Sequence, residues 1–329
     1  MVITRGTVHA VCSYFWRDLL LTEIQALLAS TMARMHRQVA AIDGTVKFMF
    51  PAGDGLAFEA AYFCIPGRDR PHIACVSTQL GCAIRCGFCA TQKDGLFRQL
   101  TSREISEQID AVVELAMRNG ACESELEVSF MGMGDPLANR REVIRTIQYV
   151  HARYPKMSRV SVSTVGPSRL IAVFGREIDY ASLPVHLQIS LHATNDHIRA
   201  KLVPGVRDTL EHLLEAGRDY SLHTGDTVCL NYILLHGLND SDEDATWLSR
   251  IDPRFFYVKL THLNPIPGLA NFISPACEGR FQHFVRVLES NGVPVKVFRG
   301  DGLDVRASCG QLASRPVQVE LPSWYAVNG

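Results

Sequence analysis

The stretch CVSTQLGCAIRCGFCATQKDG, from Cys75 to Gly95, holds four cysteines within its first fifteen residues. Three of them, Cys82, Cys86 and Cys89, have C-x3-C-x2-C spacing, and Cys75 stands seven residues ahead of the triplet. Thiols at such short intervals are a metal-binding pattern. Three thiolates cannot complete the tetrahedron of a structural zinc, which would need Cys75, His72 or a distant residue as its fourth ligand. Three also leave one iron of a 4Fe-4S cube without a protein ligand, and an open iron can bind a substrate directly.

Either chemistry needs a frame that fixes the loop. Apolar runs at 72–77, 126–131, 159–164, 186–191, 228–235, 256–263 and 294–298 alternate with helical segments. The clearest helix covers 102–118, opened by a Thr101-x-x-Glu104 capping box and stopped by Gly120. Strands alternating with helices predict a parallel sheet with right-handed crossovers. The fold class is α/β, a partial or full (β/α) barrel with its site at the C-terminal ends of the strands. The cysteine loop directly follows the first of these strands. Upstream, residues 16–40 read as an amphipathic helix with Leu20, Ile24, Leu27 and Leu28 on one face. AIDGTVKFMF and PAGDGLAFEAAYFCI read as two strands bracketed by Asp-Gly turns. The expected organisation is a helix-plus-hairpin cap over residues 1–65 and a barrel core over 66–329.

At 329 residues and 47% hydrophobic, the chain can bury one large α/β core with a small appendage. It has no run of eighteen apolar residues for a membrane span and no clean signal-peptide core. The expectation is a cytoplasmic monomer whose ten cysteines are thiols, ligands or catalysts rather than structural disulfides. Cys12, Cys64, Cys122, Cys229 and Cys277 are read as small buried hydrophobes. A net charge of −1 lacks the basic surplus of a dedicated nucleic-acid binder. A local patch can still serve, and Arg85, Lys93, Arg98, Arg140, Arg141 and Arg145 either hold phosphates or form a solvated face.

With Phe88 just before its last cysteine, the triplet resembles the cluster motif of radical S-adenosylmethionine (SAM) enzymes. From about Glu59 to Leu312 the chain resembles the RlmN/Cfr family of adenosine carbon-methyltransferases. The blocks CVSTQLGCAIRCGFCAT, SFMGMGDPLANRREV, VSVSTVGP, ISLHATNDHIRAKLVP, LLHGLNDS, LNPIPG and ASCGQL match family blocks in order. The resemblance implies a 4Fe-4S cluster on Cys82, Cys86 and Cys89, with SAM chelating the open iron. It also implies an RNA substrate, ribosomal and in some members transfer RNA, methylated at carbon 2 or carbon 8 of adenine. An electron donor such as flavodoxin or ferredoxin would feed the cluster.

Adenine carbon 2 is not a nucleophile, and the family spends two SAM per turnover on it. The first methylates a cysteine, here matched by Cys309. The second yields a 5′-deoxyadenosyl radical that takes a hydrogen atom from the S-methyl group. The methylene radical adds to the base, and a second cysteine, matched by Cys75, resolves the adduct through a transient Cys75–Cys309 disulfide. Glu59 matches a family glutamate assigned as proton acceptor. Gly134 and Asp135 match a SAM-contacting glycine–glutamate pair, with the carboxylate on a shorter arm. Ser163, Ser190, Leu191, His192 and Asn264 match the remaining SAM contacts. Two features depart from the family: fewer than sixty residues precede Glu59, and Arg306 stands where an acidic residue precedes the methylated cysteine. The rival readings are the same radical chemistry on a small molecule or peptide, and a zinc- or cluster-bearing binding protein without turnover.

Overall fold

The computed structural model describes residues 36–65, 72–157, 159–178, 182–266 and 272–314. The chain divides into two compact units, 1–37 and 38–329, and every described residue except His36 and Arg37 belongs to the second. Residues 16–35 of the expected first helix lie outside the described residues. Its final stretch is corrected by the structure: Arg37–Ala40 is a strand, β1. The turn at Asp43–Gly44, where Ala41 N–H donates to Thr45 O at 2.7 Å, folds β1 back beside β2 (Val46–Gly53). Ladder pairing there outweighs helical pattern.

β2 and β3 (Leu56–Cys64) form the expected hairpin, with Met49 opposite Glu59. The hairpin continues the sheet of the core, because β3 pairs antiparallel with β4 (His72–Cys75). A boundary at residue 65 therefore divides one sheet between two stretches of sequence. A short ribbon of β5 (Gln79–Gly81) and β6 (Leu96–Gln99), unforeseen in the sequence, clasps the base of the cysteine loop.

The remaining strands are β7 (Leu126–Phe130), β8 (Arg159–Thr164), β9 (Val185–Ser190), β10 (Val228–Ile233), β11 (Phe256–Thr261) and β12 (Val295–Phe298). With β4 they run parallel, each beside the next. The ten-stranded sheet has the order β1-β2-β3-β4-β7-β8-β9-β10-β11-β12, with β1 and β12 at its two edges, so the barrel is partial. Its crossovers carry α1 (Ser102–Arg118), α2 (Arg140–Arg153), α3 (Ser168–Glu177), α4 (Asp196–Leu202), α5 (Leu210–Thr224), α6 (Asp242–Leu248) and α7 (Glu278–Ser290). The capping box of α1 is present, with Glu104 N–H donating to Thr101 and Thr101 N–H to Glu104. Among the described residues no helix is long and apolar enough to cross a membrane.

Alternation along the strands positions the site. One set of residues, Val128, Val162, Leu187, Leu230 and Val258, is fully buried in one cluster with Ile109, Val143, Phe174, Leu213 and Phe284 of the helices. Each such side chain contributes about 2 kcal/mol. The intervening residues, Ser129, Ser163, Gln188, Asn231 and Lys259, line cavities inside the barrel. The strands are thus apolar toward the helices and polar toward the lumen, with period two. On the same inner side, His186 Nδ1 meets Asp226 Oδ2 at 2.9 Å and His186 Nε2 meets Tyr257 Oη at 2.9 Å.

Candidate active site

Two adjoining chambers occupy the lumen. The smaller, about 150 Å³, is lined by Cys82, Cys86 and Cys89, and by Gly134, Asp135, Ser163, Ser190 and His192. The larger, about 610 Å³, is lined by Cys75, Glu127, Ser129, Gln188 and Lys296 among others. Met131, Lys259, Phe298 and Cys309 line both and so form the partition. Cys309 Sγ lies 3.7 Å from Met131 Sδ.

The cysteine loop is held from three sides. Cys82 N–H donates to Gly95 O at 2.8 Å, and Gly87 N–H to Leu202 O at 2.9 Å. Ala90 N–H donates to Gly310 O at 2.7 Å, which ties the triplet to the Cys309 loop. Phe88, Val165, Leu202, Val203 and Leu235 pack an apolar shell against Cys86 and Cys89. Burial pushes the Cys82 thiol up to about 12 and raises Cys86 and Cys89 as well, and the three sulfurs' mutual repulsion adds to the rise at Cys82 and Cys86. Such thiols become thiolates when a metal takes the charge. Among the described residues no three His, Cys, Asp or Glu side chains converge as one mononuclear ion requires.

A 4Fe-4S cluster with SAM fits the residues present: three thiols line one chamber, and a buried cation, Arg199, stands near them. Its guanidinium is 1% exposed, donating through Nη2 to Val165 O at 2.5 Å and more weakly to Ser190 O at 3.4 Å. Nε and Nη1 are buried without a hydrogen-bond partner. A buried cation needs anionic groups close by, and Asp208, Cys86 and Asp196 all act on this one. Arg199 also acts electrostatically on Cys86, which places its charge behind the thiol loop.

The glycine-rich loop after β7 lies against β5. Gly134 has φ +90°, and a Cβ there would meet Gln79 Cβ at 2.5 Å, so only glycine fits. Asp135 accepts from Val165 N–H at 2.9 Å, Leu137 N–H at 3.0 Å and the Thr164 hydroxyl at 2.9 Å. Burial pushes its carboxyl up to about 6 despite these donors. His192 has φ +57° and accepts from Ile233 N–H through Nδ1 at 3.1 Å. Burial lowers its imidazole to about 3, so it is neutral at physiological pH.

Three expected site residues lie elsewhere. Leu191 is fully buried in the main core. Asn264 lines neither chamber; it donates to Cys309 O at 2.9 Å and Ser308 Oγ at 3.1 Å, bracing the partition. Glu59 also lines neither chamber. It is 1% exposed, paired with Lys47 Nζ at 3.1 Å, and accepts from Ala313 N–H at 3.0 Å. Burial raises its carboxyl on balance, with the charges of Lys47 and Arg306 opposing the rise. Cys75 and Cys309 are free thiols. Of the cysteines read as buried hydrophobes, Cys229 is buried, Cys64, Cys122 and Cys277 are exposed, and Cys12 lies outside the described residues. Those three sit at a strand end or a helix N-cap, where no packing element covers them. Of the six basic candidates, Arg98 pairs with Glu104, Arg140 with Glu177 and Arg145 with Glu142.

The sequence reading missed Arg199, Gln188 and Lys259. A lysine between Val258 and Leu260 in a buried strand was the available signal, since alternation sends it inward.

Residues 76–247 match the radical SAM superfamily. A probable dual-specificity RNA methyltransferase RlmN of Thermotoga maritima is 35% identical over 298 residues, covering 88% of this chain and 81% of the relative. The corresponding protein of Desulforudis audaxviator is 38% identical over 286 residues, 85% of this chain and 86% of the relative. A radical SAM methyltransferase crystal structure from Sphaerobacter thermophilus aligns with a TM-score of 0.75 at 35% identity, covering 84% of this chain and 80% of that one. Sheet, thiol loop and chamber thus define a radical SAM enzyme. Within that superfamily the chain belongs to the RlmN family of methyltransferases.

Proposed function

We propose that this enzyme methylates an adenosine carbon of RNA, C2 or C8, through a methylated Cys309. The observation that carries the reading is the partition: Cys309 faces the cluster thiols on one side and the Cys75 chamber on the other. When bound, the cluster supplies the electron for reductive cleavage of SAM.

Cys82, Cys86 and Cys89 would hold the cluster, and Gly134, Asp135, Ser163, Ser190 and His192 would line the place of SAM. Neutral His192 offers no positive charge to compete with the sulfonium. Cys309 would give up its thiol proton, take a methyl group from one SAM and hold it toward the smaller chamber, where a second SAM would supply the radical that removes a hydrogen atom from it. The acceptor base reaches the methyl carbon from the larger chamber. Cys75 would take the proton from the reacting carbon while the adduct's surplus electron returns to the oxidised cluster, and would then give that proton up. As a thiolate it would attack Cys309 sulfur to form a disulfide; the S–C bond breaks, and the departing carbon keeps the electron pair and takes up a proton to complete the methyl group. A thiol reductant supplies the two electrons that reopen this disulfide. Glu59, matched to a proton acceptor, serves here as the anchor that ties the Cys309 loop to β3.

The test is Cys75→Ala, which can be methylated at Cys309 and can add to the base but cannot resolve the adduct. Protein covalently joined to RNA should accumulate, as a gel shift that survives denaturation and collapses on nuclease treatment. Wild-type turnover by this variant would overturn the shared-thiol mechanism. A second reading, a small-molecule or peptide acceptor, is favoured by the surface carboxylates that neutralise Arg98, Arg140 and Arg145. A trapped small metabolite would select it.

A further inference from the structure

The partition between the chambers contains one charged side chain, Lys259 on β11. Its Nζ donates to Gln188 Oε1 at 2.8 Å and lies 5.7 Å from the centroid of the Phe298 ring. Both partners are neutral, so the ammonium is held in place without being cancelled. Among the described residues no carboxylate forms an ion pair with it. The other cations of the larger chamber are engaged elsewhere: Lys296 Nζ sits over the Tyr257 ring at 4.6 Å, and Arg299 pairs with Glu278 at 3.0 Å. Half-buried on the wall of both chambers, this ammonium stands beside two thiols, where a positive charge favours the thiolate form.

Cys75 is where that anion is hardest to make. It is 7% exposed and packs among Ala61, Phe63, Ile73 and Ala307. Its wall of the larger chamber is shared with Glu127 of β7, Lys259 of β11, Lys296 of β12, and Arg299, Asp301 and Cys309 of the following loop. Burial raises the Cys75 thiol, Cys309 and Glu127 raise it further, and Lys259 with the Met131 N–H opposes them. A thiol that stayed protonated could neither accept a proton nor attack a sulfur.

We propose that Lys259 is a positioning residue of the thiol chemistry, its fixed ammonium serving as the counter-charge that lets buried Cys75 exist as a thiolate facing Cys309. The proton leaves through the larger chamber, and no bond other than S–H is broken. The role of the thiolate rests on the proposed function, whereas its formation is measurable without any acceptor.

The experiment is iodoacetamide labelling of the anaerobic holoenzyme across pH, with Cys75 modification quantified by peptide mass spectrometry. Lys259→Met should raise the midpoint of Cys75 labelling by about one pH unit and slow labelling at neutral pH about tenfold. Lys259→Arg should keep the wild-type profile. Glu127→Gln should move the midpoint the opposite way, because it removes a like charge. Merely structural damage would not give shifts of opposite sign, and the Glu127 variant stands as a test even where Lys259→Met fails to fold. A midpoint unmoved in Lys259→Met, or moved upward in Glu127→Gln, overturns the assignment. Normal turnover by Cys75→Ala would instead sink the proposed function and leave the labelling result intact.

Discussion

Sulfur and hydrocarbon make up much of the smaller chamber, whose three thiols are backed by Phe88, Val165, Leu202 and Leu235. Ionic groups ring the larger one, Glu127, Lys259, Lys296, Arg299 and Asp301. Strands β9, β11 and β12 reach both, whereas β8 and β10 line only the smaller and β3, β4 and β7 only the larger, so the difference arises from which strands and which loops reach each. An apolar enclosure keeps water from a metal site and strengthens every charge inside it. A charged, fourfold larger space suits an acceptor that must be bound, deprotonated and released. One chamber gathers thiols and the other ionic groups, and Cys309 borders both.

The contrast can be broken most completely at the cluster loop. Cys86→Ala should drop iron from about four atoms per chain to near zero and abolish SAM cleavage. Thermal unfolding of the barrel should survive, and iron assay with circular dichroism checks both. Gly205→Ala is a gentler attack on the same chamber. A Cβ there would meet the Ile84 backbone at 2.5 Å, so the loop must move away from the α4–α5 connection. Iron content should fall several-fold while labelling of Cys75 in the other chamber keeps its pH profile.

The larger chamber can be disturbed from behind through the Lys47–Glu59 pair. Lys47→Met leaves a buried carboxylate unpaired and should cost about 3 kcal/mol, read as a lower denaturant midpoint. Adding Glu59→Gln should recover much of that loss, as expected for coupled partners. Cluster content should not change in either. At neutral pH the smallest effect is at His192, whose contribution shows only in acid. Its imidazole protonates near 6.5 when unfolded and only near 3 when folded, so the unfolded state binds the extra proton between those values. Stability should therefore fall as pH drops from 6.5 toward 3, and His192→Gln should flatten that slope.

Much of this was legible in the residues. Metal spacing marked Cys82, Cys86 and Cys89, and the apolar runs located all seven parallel strands. Thr101 and Glu104 marked the start of α1, because a reciprocal cap needs only those two residue types three positions apart. Three-residue β5 was invisible because QLG has no period to read. Lys259 and Gln188 become partners only through sheet register across β9, β10 and β11, which sequence does not print. Glu59 shows why a motif match and an environment differ. Its partner Lys47 is a diagonal neighbour across the β2–β3 hairpin, a relation set by the turn rather than by either residue.

The loop carrying Cys309 is also fastened to the opposite end of the barrel sheet. Gly302 N–H donates to Asp43 at 2.6 Å, Ile42 N–H to Asp304 at 3.0 Å, and Ala57 N–H to Ser314 O at 3.0 Å. The first two contacts join residues 259 and 262 positions apart. At roughly 5–20 residues per second of synthesis, the β2–β3 hairpin therefore waits about 13–50 s on the ribosome for the segment that seals it. The seal and Cys309 arrive together. A nascent chain that stalls before residue 300 lacks both Cys309 and the contacts that fasten the hairpin's entry turn.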